Sequence, residues 1–202
     1  MDINIKKFWD ECHNKNIIDS LSGCGYDETI DFLKLRDYII PGNNVLEVGP
    51  GLGYVTRGLY DHRLNISCLD ISKPALIRVE KYCEKTYTIS DLDKLPSNYF
   101  DIIICNNVIQ HVPTDLLIEE LRHCIRSLKV SGVFAVEFVS NDIIEDMGIN
   151  PSLNDIKGGS LCRTPRYLEK LIEKVGGNCE LVVDNKCNIN VVKGCHVFHV
   201  KK

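Results

Sequence analysis

The chain has 202 residues, 26% of them charged and 44% apolar, the balance of an ordinary globular protein with room for one sizeable core. A net charge of −4 without a long basic block argues against a primary nucleic-acid binder, and no stretch approaches the roughly 20 apolar residues of a membrane span. The ten cysteines include no Cys-x-x-Cys pair, so reduced cysteines serving as small core residues are expected, and with them a cytoplasmic protein.

Residues 1–25 form a polar–apolar leader carrying Phe8, Trp9 and His13, without the apolar core of a signal peptide. Asp27 is placed to cap a helix running to about Tyr38, and Pro41-Gly42 closes that segment. Residues 1–40 are therefore read as a helical cover within a single domain spanning 1–202, since no Gly/Ser linker or internal repeat divides the chain.

The first strand is expected at 45–48. It carries an acid, Glu47, near its carboxyl end, and Gly49-Pro50-Gly51-Leu52-Gly53 follows at once. Leu52, Val55, Thr56 and Leu59 then fall on one face of a helix over 52–60. A strand, a glycine turn and a helix start are the parts of a nucleotide site in an open parallel sheet. The second strand, 66–69, ends in Asp70, which lies 21 positions past Gly49, near the roughly 20-residue offset at which an acid meets ribose hydroxyls.

A helix is expected over 74–84, a short third strand over 87–89 and an almost wholly apolar fourth over 100–105. Thr114 is placed to cap a helix whose Leu117, Leu121, Cys124 and Leu128 face the core, and 132–139 reads as strand five. Thr164 and Pro165 open a last helix near 165–175. Two further strands, 180–183 and 196–200, are separated by a polar loop short enough for antiparallel neighbours. The alternation predicts a parallel sheet with helices on both faces.

Glu47-Val48-Gly49-Pro50-Gly51-Leu52-Gly53 resembles the acid-x-Gly-x-Gly-x-Gly signature of class I S-adenosylmethionine-dependent methyltransferases. It is less similar to the Gly-x-Gly-x-x-Gly of dinucleotide dehydrogenases, because the third glycine comes one residue early. The similarity continues through Asp70, Ser90-Asp91 and Asn106 to His111. It implies an α/β fold with a seven-stranded, mostly parallel sheet, one antiparallel strand near the end and helices on both faces. The implied cofactor is S-adenosylmethionine and the product S-adenosylhomocysteine.

By that resemblance the backbone of Gly49, Gly51 and Gly53 approaches the methionine end, which Glu47 orders. Asp70 takes the ribose hydroxyls and Ile71 lies on the adenine. Ser90, Asp91 and Leu92 meet the adenine edge, although a turn or helix cap is the plainer role for Asp91. Asn106 matches the position whose carbonyl meets the cofactor's ammonium, with Asn107 beside it. Trp9 and His13 in the leader are candidates for contact with bound molecules, the alternative for Trp9 being packing on the sheet.

Methyl transfer needs a positioned nucleophile and, for a hydroxyl or protonated amine, removal of a proton. An unperturbed imidazole titrates near about 6.5, so His111 is the candidate base, the alternative being a brace for its loop. Lys157, Arg163 and Arg166, with Gly158-Gly159 and the start of the last helix, suggest a place for a phosphate or carboxylate at the substrate-side loop 140–165, the alternative being a solvated lid with ordinary surface cations. The expected partner is a small-molecule methyl acceptor reacting at oxygen or nitrogen, with no nucleic acid, no membrane and a monomer or homodimer. No metal is expected, since Cys187, Cys195, His196 and His199 fit no zinc spacing. A nicotinamide-dependent oxidoreductase, or a catalytically silent relative that only binds, are the other classes open at this point.

Overall fold

Seven strands, most of them largely apolar, pair into one sheet, and amphipathic helices cover its two faces. The computed structural model describes residues 3–15, 25–140, 163–185 and 194–202. In chain order these give α1 (Ile3–Asn14), α2 (Tyr26–Phe32), β1 (Asn44–Val48), α3 (Tyr54–Asp61), β2 (Asn65–Asp70), α4 (Lys73–Val79) and β3 (Lys85–Thr88). They continue with β4 (Phe100–Cys105), α5 (Thr114–Ser127), β5 (Leu128–Ser140), α6 (Pro165–Lys174), β6 (Asn178–Asn185) and β7 (Gly194–Lys201).

The sheet order is β3-β2-β1-β4-β5-β7-β6. β1 to β5 are mutually parallel, and β7 runs antiparallel to both β5 and β6, which makes it the single reversed strand. One face packs Leu46, Leu69, Ile103 and Phe134 against Leu117 and Leu121 of α5 and Leu168 of α6. The other packs Val45, Ile66, Ile102 and Val133 against Ile30 of α2, Leu59 of α3 and Val79 of α4. Cys68, Cys105 and Cys124 are buried free thiols within these layers. Among the described residues no helix is long and apolar enough to cross a membrane.

The element ends depart from the sequence reading in several places. The helix expected from Asp27 to Tyr38 stops at Phe32, because Lys34 takes a left-handed φ of 57°, and a separate 3₁₀ turn follows over Arg36–Tyr38. Gly25, not Asp27, holds the N-cap position. α4 is shorter than expected and passes into a 3₁₀ turn over Glu80–Tyr82. Thr114 is the first residue of α5 rather than its cap. Thr164 does cap α6, accepting the Tyr167 amide at 3.2 Å.

Candidate active site

Strand order runs one way from β1 to β3 and the other way from β4 to β5, so a crevice opens at the carboxyl ends of β1 and β4. A cavity of about 520 Å³ fills it.

Glu47 and Asp70 both lie on its wall, at the ends of adjacent strands. Glu47 is only 4% exposed and accepts the Thr56 hydroxyl at 2.6 Å, a bond that ties the strand to the first turns of α3. Asp70 accepts the Ser72 amide at 2.7 Å. Burial pushes both carboxyls up to about 7, the Asp70 charge adding to the shift of Glu47 and the Asp10 charge to that of Asp70. Ile71 lines the cavity beside Asp70.

Between β1 and α3, Gly49, Gly51 and Gly53 have φ of 70°, 53° and 77°, values that L side chains seldom adopt. A Cβ on Gly49 would stand 2.3 Å from Cγ2 of Val108, so here the turns after β1 and β4 meet with room for a hydrogen only. Gly49 and Gly51 line the cavity. Gly53 is not among the lining residues: it stands at the N-cap of α3, where a Cβ would meet Cγ1 of Val79 at 2.7 Å.

The turn after β3 corrects the expectation for Ser90, Asp91 and Leu92, none of which lines the cavity; Ile89 does. Both carboxylate oxygens of Asp91 are engaged. Oδ2 accepts the Thr88 amide at 3.0 Å and its hydroxyl at 2.6 Å, and Oδ1 accepts Nζ of Lys94 at 2.6 Å. The Lys94 ammonium, then Thr88, hold this acid below the usual carboxylate range. Asp91 is thus a capping box residue. Ser90 bonds the Thr88 hydroxyl at 2.7 Å, and Leu92 is core.

Past β4, Asn106 and Asn107 line the cavity. Asn107 takes φ of 58°, gives its amide to a Glu137 carboxylate oxygen and accepts the Gln110 side-chain amide. A 3₁₀ turn over Ile109–His111 follows, and the His111 ring meets Trp9 of α1 edge to face at 4.9 Å. Trp9, His13 and His111 all line the cavity. Burial, then Arg78, pull His13 down to about 4, so its ring is neutral, and Nδ1 has no hydrogen-bond partner among the described residues.

Arg163 is placed otherwise than the sequence suggested. It is 3% exposed and absent from the cavity wall, and its guanidinium donates to the carbonyls of Ile109 and Val112 at 2.5 Å each and to the Thr114 hydroxyl at 3.4 Å. It clamps the turn that bears His111. Arg166 is exposed and also off the wall; Lys157 and residues 141–162 of the expected loop lie outside the described residues. Among the described residues no group of three His, Cys, Asp or Glu side chains is arranged to hold a metal.

The wall residues that escaped sequence reasoning include Glu120 of α5 and Glu137 of β5. Each left a signal. Glu120 interrupts the apolar face of its helix, and Glu137 is the one acid inside an apolar strand. With Glu28, Glu47 and Asp70 they give a wall on which, among the described residues, there are five carboxyls and no lysine or arginine. That suits a cationic ligand with hydroxyl groups. S-adenosylmethionine, a sulfonium with an ammonium and a ribose diol, fits it.

Comparison with known proteins agrees. A family model described as a methyltransferase domain matches residues 46–134, the stretch from β1 into β5. Phosphoethanolamine N-methyltransferase 2 of Caenorhabditis elegans is 28% identical over 105 residues, covering 48% of this chain and 24% of that protein. The ubiquinone biosynthesis O-methyltransferase of Xanthomonas campestris pv. campestris is 27% identical over 112 residues, covering 51% of this chain and 45% of that protein. The chain thus spans less than half the length of either relative in the matched region. Magnesium protoporphyrin IX methyltransferase of Synechocystis, solved with bound S-adenosylhomocysteine, superposes with a TM-score of 0.64 at 16% identity over 98% of this chain and 100% of that one. The strand order and the crevice at its reversal give this chain the fold of the class I S-adenosylmethionine-dependent methyltransferases, and the 46–134 match to a methyltransferase domain runs through that crevice.

Proposed function

We propose that the protein transfers the methyl group of S-adenosylmethionine to an oxygen or nitrogen of a small acceptor, releasing S-adenosylhomocysteine. One observation carries the reading: two buried acids, Glu47 and Asp70, close adjacent parallel strands beside a turn whose glycine backbone faces an open cavity. When bound, the cofactor supplies a methyl carbon activated by its sulfonium. Asp70 takes the ribose hydroxyls, Ile71 and Ile89 flank the adenine, and the turn through Gly49 and Gly51 receives the methionine end with Glu47 behind it. Asn106 accepts the cofactor's ammonium. His111 takes the proton from the acceptor's nucleophile, and Trp9 and His13 of α1 cover the site and keep water out. The buried free thiols support a cytoplasmic setting.

Calorimetry with S-adenosylmethionine, S-adenosylhomocysteine and NAD⁺ tests this. The two sulfur nucleosides should bind and NAD⁺ should not; the reverse would assign an oxidoreductase. Binding without thioether release from any acceptor would assign a silent binding protein. With a turned-over acceptor, His111→Asn should lower kcat by about a hundredfold and remove the acid limb of the pH profile.

A further inference from the structure

In the cofactor reading above, Glu120 and Glu137 of the cavity wall are given no part. Glu137 rises from β5 and Glu120 from α5, and both converge on the end of β4, where their charges help burial push the Cys105 thiol up. Glu137 is engaged by the Asn107 amide. Glu120 is 4% exposed, lines the cavity and has no hydrogen-bond partner among the described residues. A buried, unmatched carboxylate is costly, and a cation delivered by a ligand is what removes that cost. Trp9, on the same wall, adds an aromatic ring of the kind that attracts cations. Two of the three basic side chains expected to hold an anionic acceptor are not on this wall: Arg163 is bound to the 109–112 turn and Arg166 is exposed, while Lys157 lies outside the described residues.

We propose that the methyl acceptor is a small amine, held as its ammonium by the Glu120 and Glu137 carboxylates; this rests on the cofactor reading above. The ammonium gives one proton to His111. The freed nitrogen lone pair forms the N–C bond as the C–S bond breaks, its electron pair staying on sulfur, so the methylated ammonium, a thioether and one proton account for all atoms and charge. Burial pushes Glu120 and Glu137 up to about 7. The titratable neighbours are Asp70, Cys105 and Cys124 around Glu120, and Cys105 and Cys195 around Glu137. An ammonium bound between the pair should therefore expel protons at neutral pH and bind more tightly from pH 6 to 8.

The test is calorimetry on the full chain, first with S-adenosylhomocysteine alone. The loaded protein is then titrated with ethanolamine, phosphoethanolamine and tyramine, each against its amine-free counterpart: ethylene glycol, glycerol 3-phosphate and tyrosol. In at least one pair the amine should bind ten-fold more tightly, with a heat that varies with the buffer's ionisation enthalpy. Glu120→Gln should bring that pair to within about threefold while changing S-adenosylhomocysteine affinity far less. Glu137→Gln, which keeps an oxygen for the Asn107 amide, serves if that variant does not fold. Equal binding within every pair, no binding of any probe to the loaded protein, or a preference untouched by either variant overturns the proposal. Failure of S-adenosylhomocysteine itself to bind instead sinks the cofactor reading beneath it.

Discussion

The two halves of the crevice are built by different means. On the side proposed for the cofactor, Glu47, the glycine turn, Asp70 and Ile71 come from one continuous run, and each is placed by its own strand end or turn. On the side proposed for the acceptor almost nothing is local. Trp9 reaches His111 from α1, ahead of the matched region, Glu137 holds an amide 30 residues away, and Arg163 holds carbonyls 54 and 51 residues back. A local half can be read from spacing and should tolerate changes elsewhere; an assembled half depends on tertiary contacts that no spacing records.

Four measurements break or sharpen that contrast. The largest effect should come from Gly49→Ala, which sets a Cβ 2.3 Å from Val108 at a φ of 70°. Affinity for S-adenosylhomocysteine should fall a hundredfold or more, about 3 kcal/mol, because the turn must move. Retained affinity would mean that this turn does not shape the cofactor half. Arg163→Met should act on the other half. It leaves two carbonyls without their donors, so stability drops by about 2–4 kcal/mol in denaturant titrations, and kcat falls while cofactor affinity stays within a few-fold. A rise in the acceptor KM with unchanged stability would restore the ligand role first expected of it.

Asp70→Asn should cost about ten- to a hundredfold in cofactor affinity, the worth of a charge-assisted bond. The melting temperature should not fall, since a buried acid disappears. The smallest effect is on pH dependence without ligand. Glu47, Asp70, Glu120 and Glu137 are all pushed up to about 7, so between about pH 4 and 7 the folded state binds more protons than the unfolded one. Their stabilising contribution is full below the unfolded values and is lost as pH rises through 7. His13 and His199, lowered by burial, act in the opposite sense up to about 6.5. The melting temperature should therefore decline by several degrees from pH 6.5 to 8. A flat profile there would mean that these carboxyls are not held in their acid form.

The same contrast explains what the sequence disclosed. The mostly parallel seven-stranded sheet with one reversed strand near its end follows from apolar runs, their spacing and the family resemblance, whereas the strand order comes from the structure. Glu47, Gly49, Gly51, Asp70, Asn106 and His111 sit on the cavity wall because strand ends and turns put them there. Asp91 fell out because an acid three residues after a threonine also completes a capping box, and here that local use takes both oxygens. Arg163 was misread because sequence gives the presence of a cation and not the direction its guanidinium faces. Helix ends slipped where Lys34 turned left-handed and where α5 ran straight into β5 at Leu128.

The insertion of β7 between β5 and β6 bears on how the chain matures during synthesis. The ribosome delivers β7 last of the seven strands, so a nascent chain holds β5 with one edge unpaired and β6 with no neighbour at all. The sheet closes when residues 194–201 emerge and the antiparallel pair docks together. Until then an apolar border from Phe134 to Phe138 is open to other chains, and a stalled or shortened product lacking β7 should aggregate rather than rest half-made.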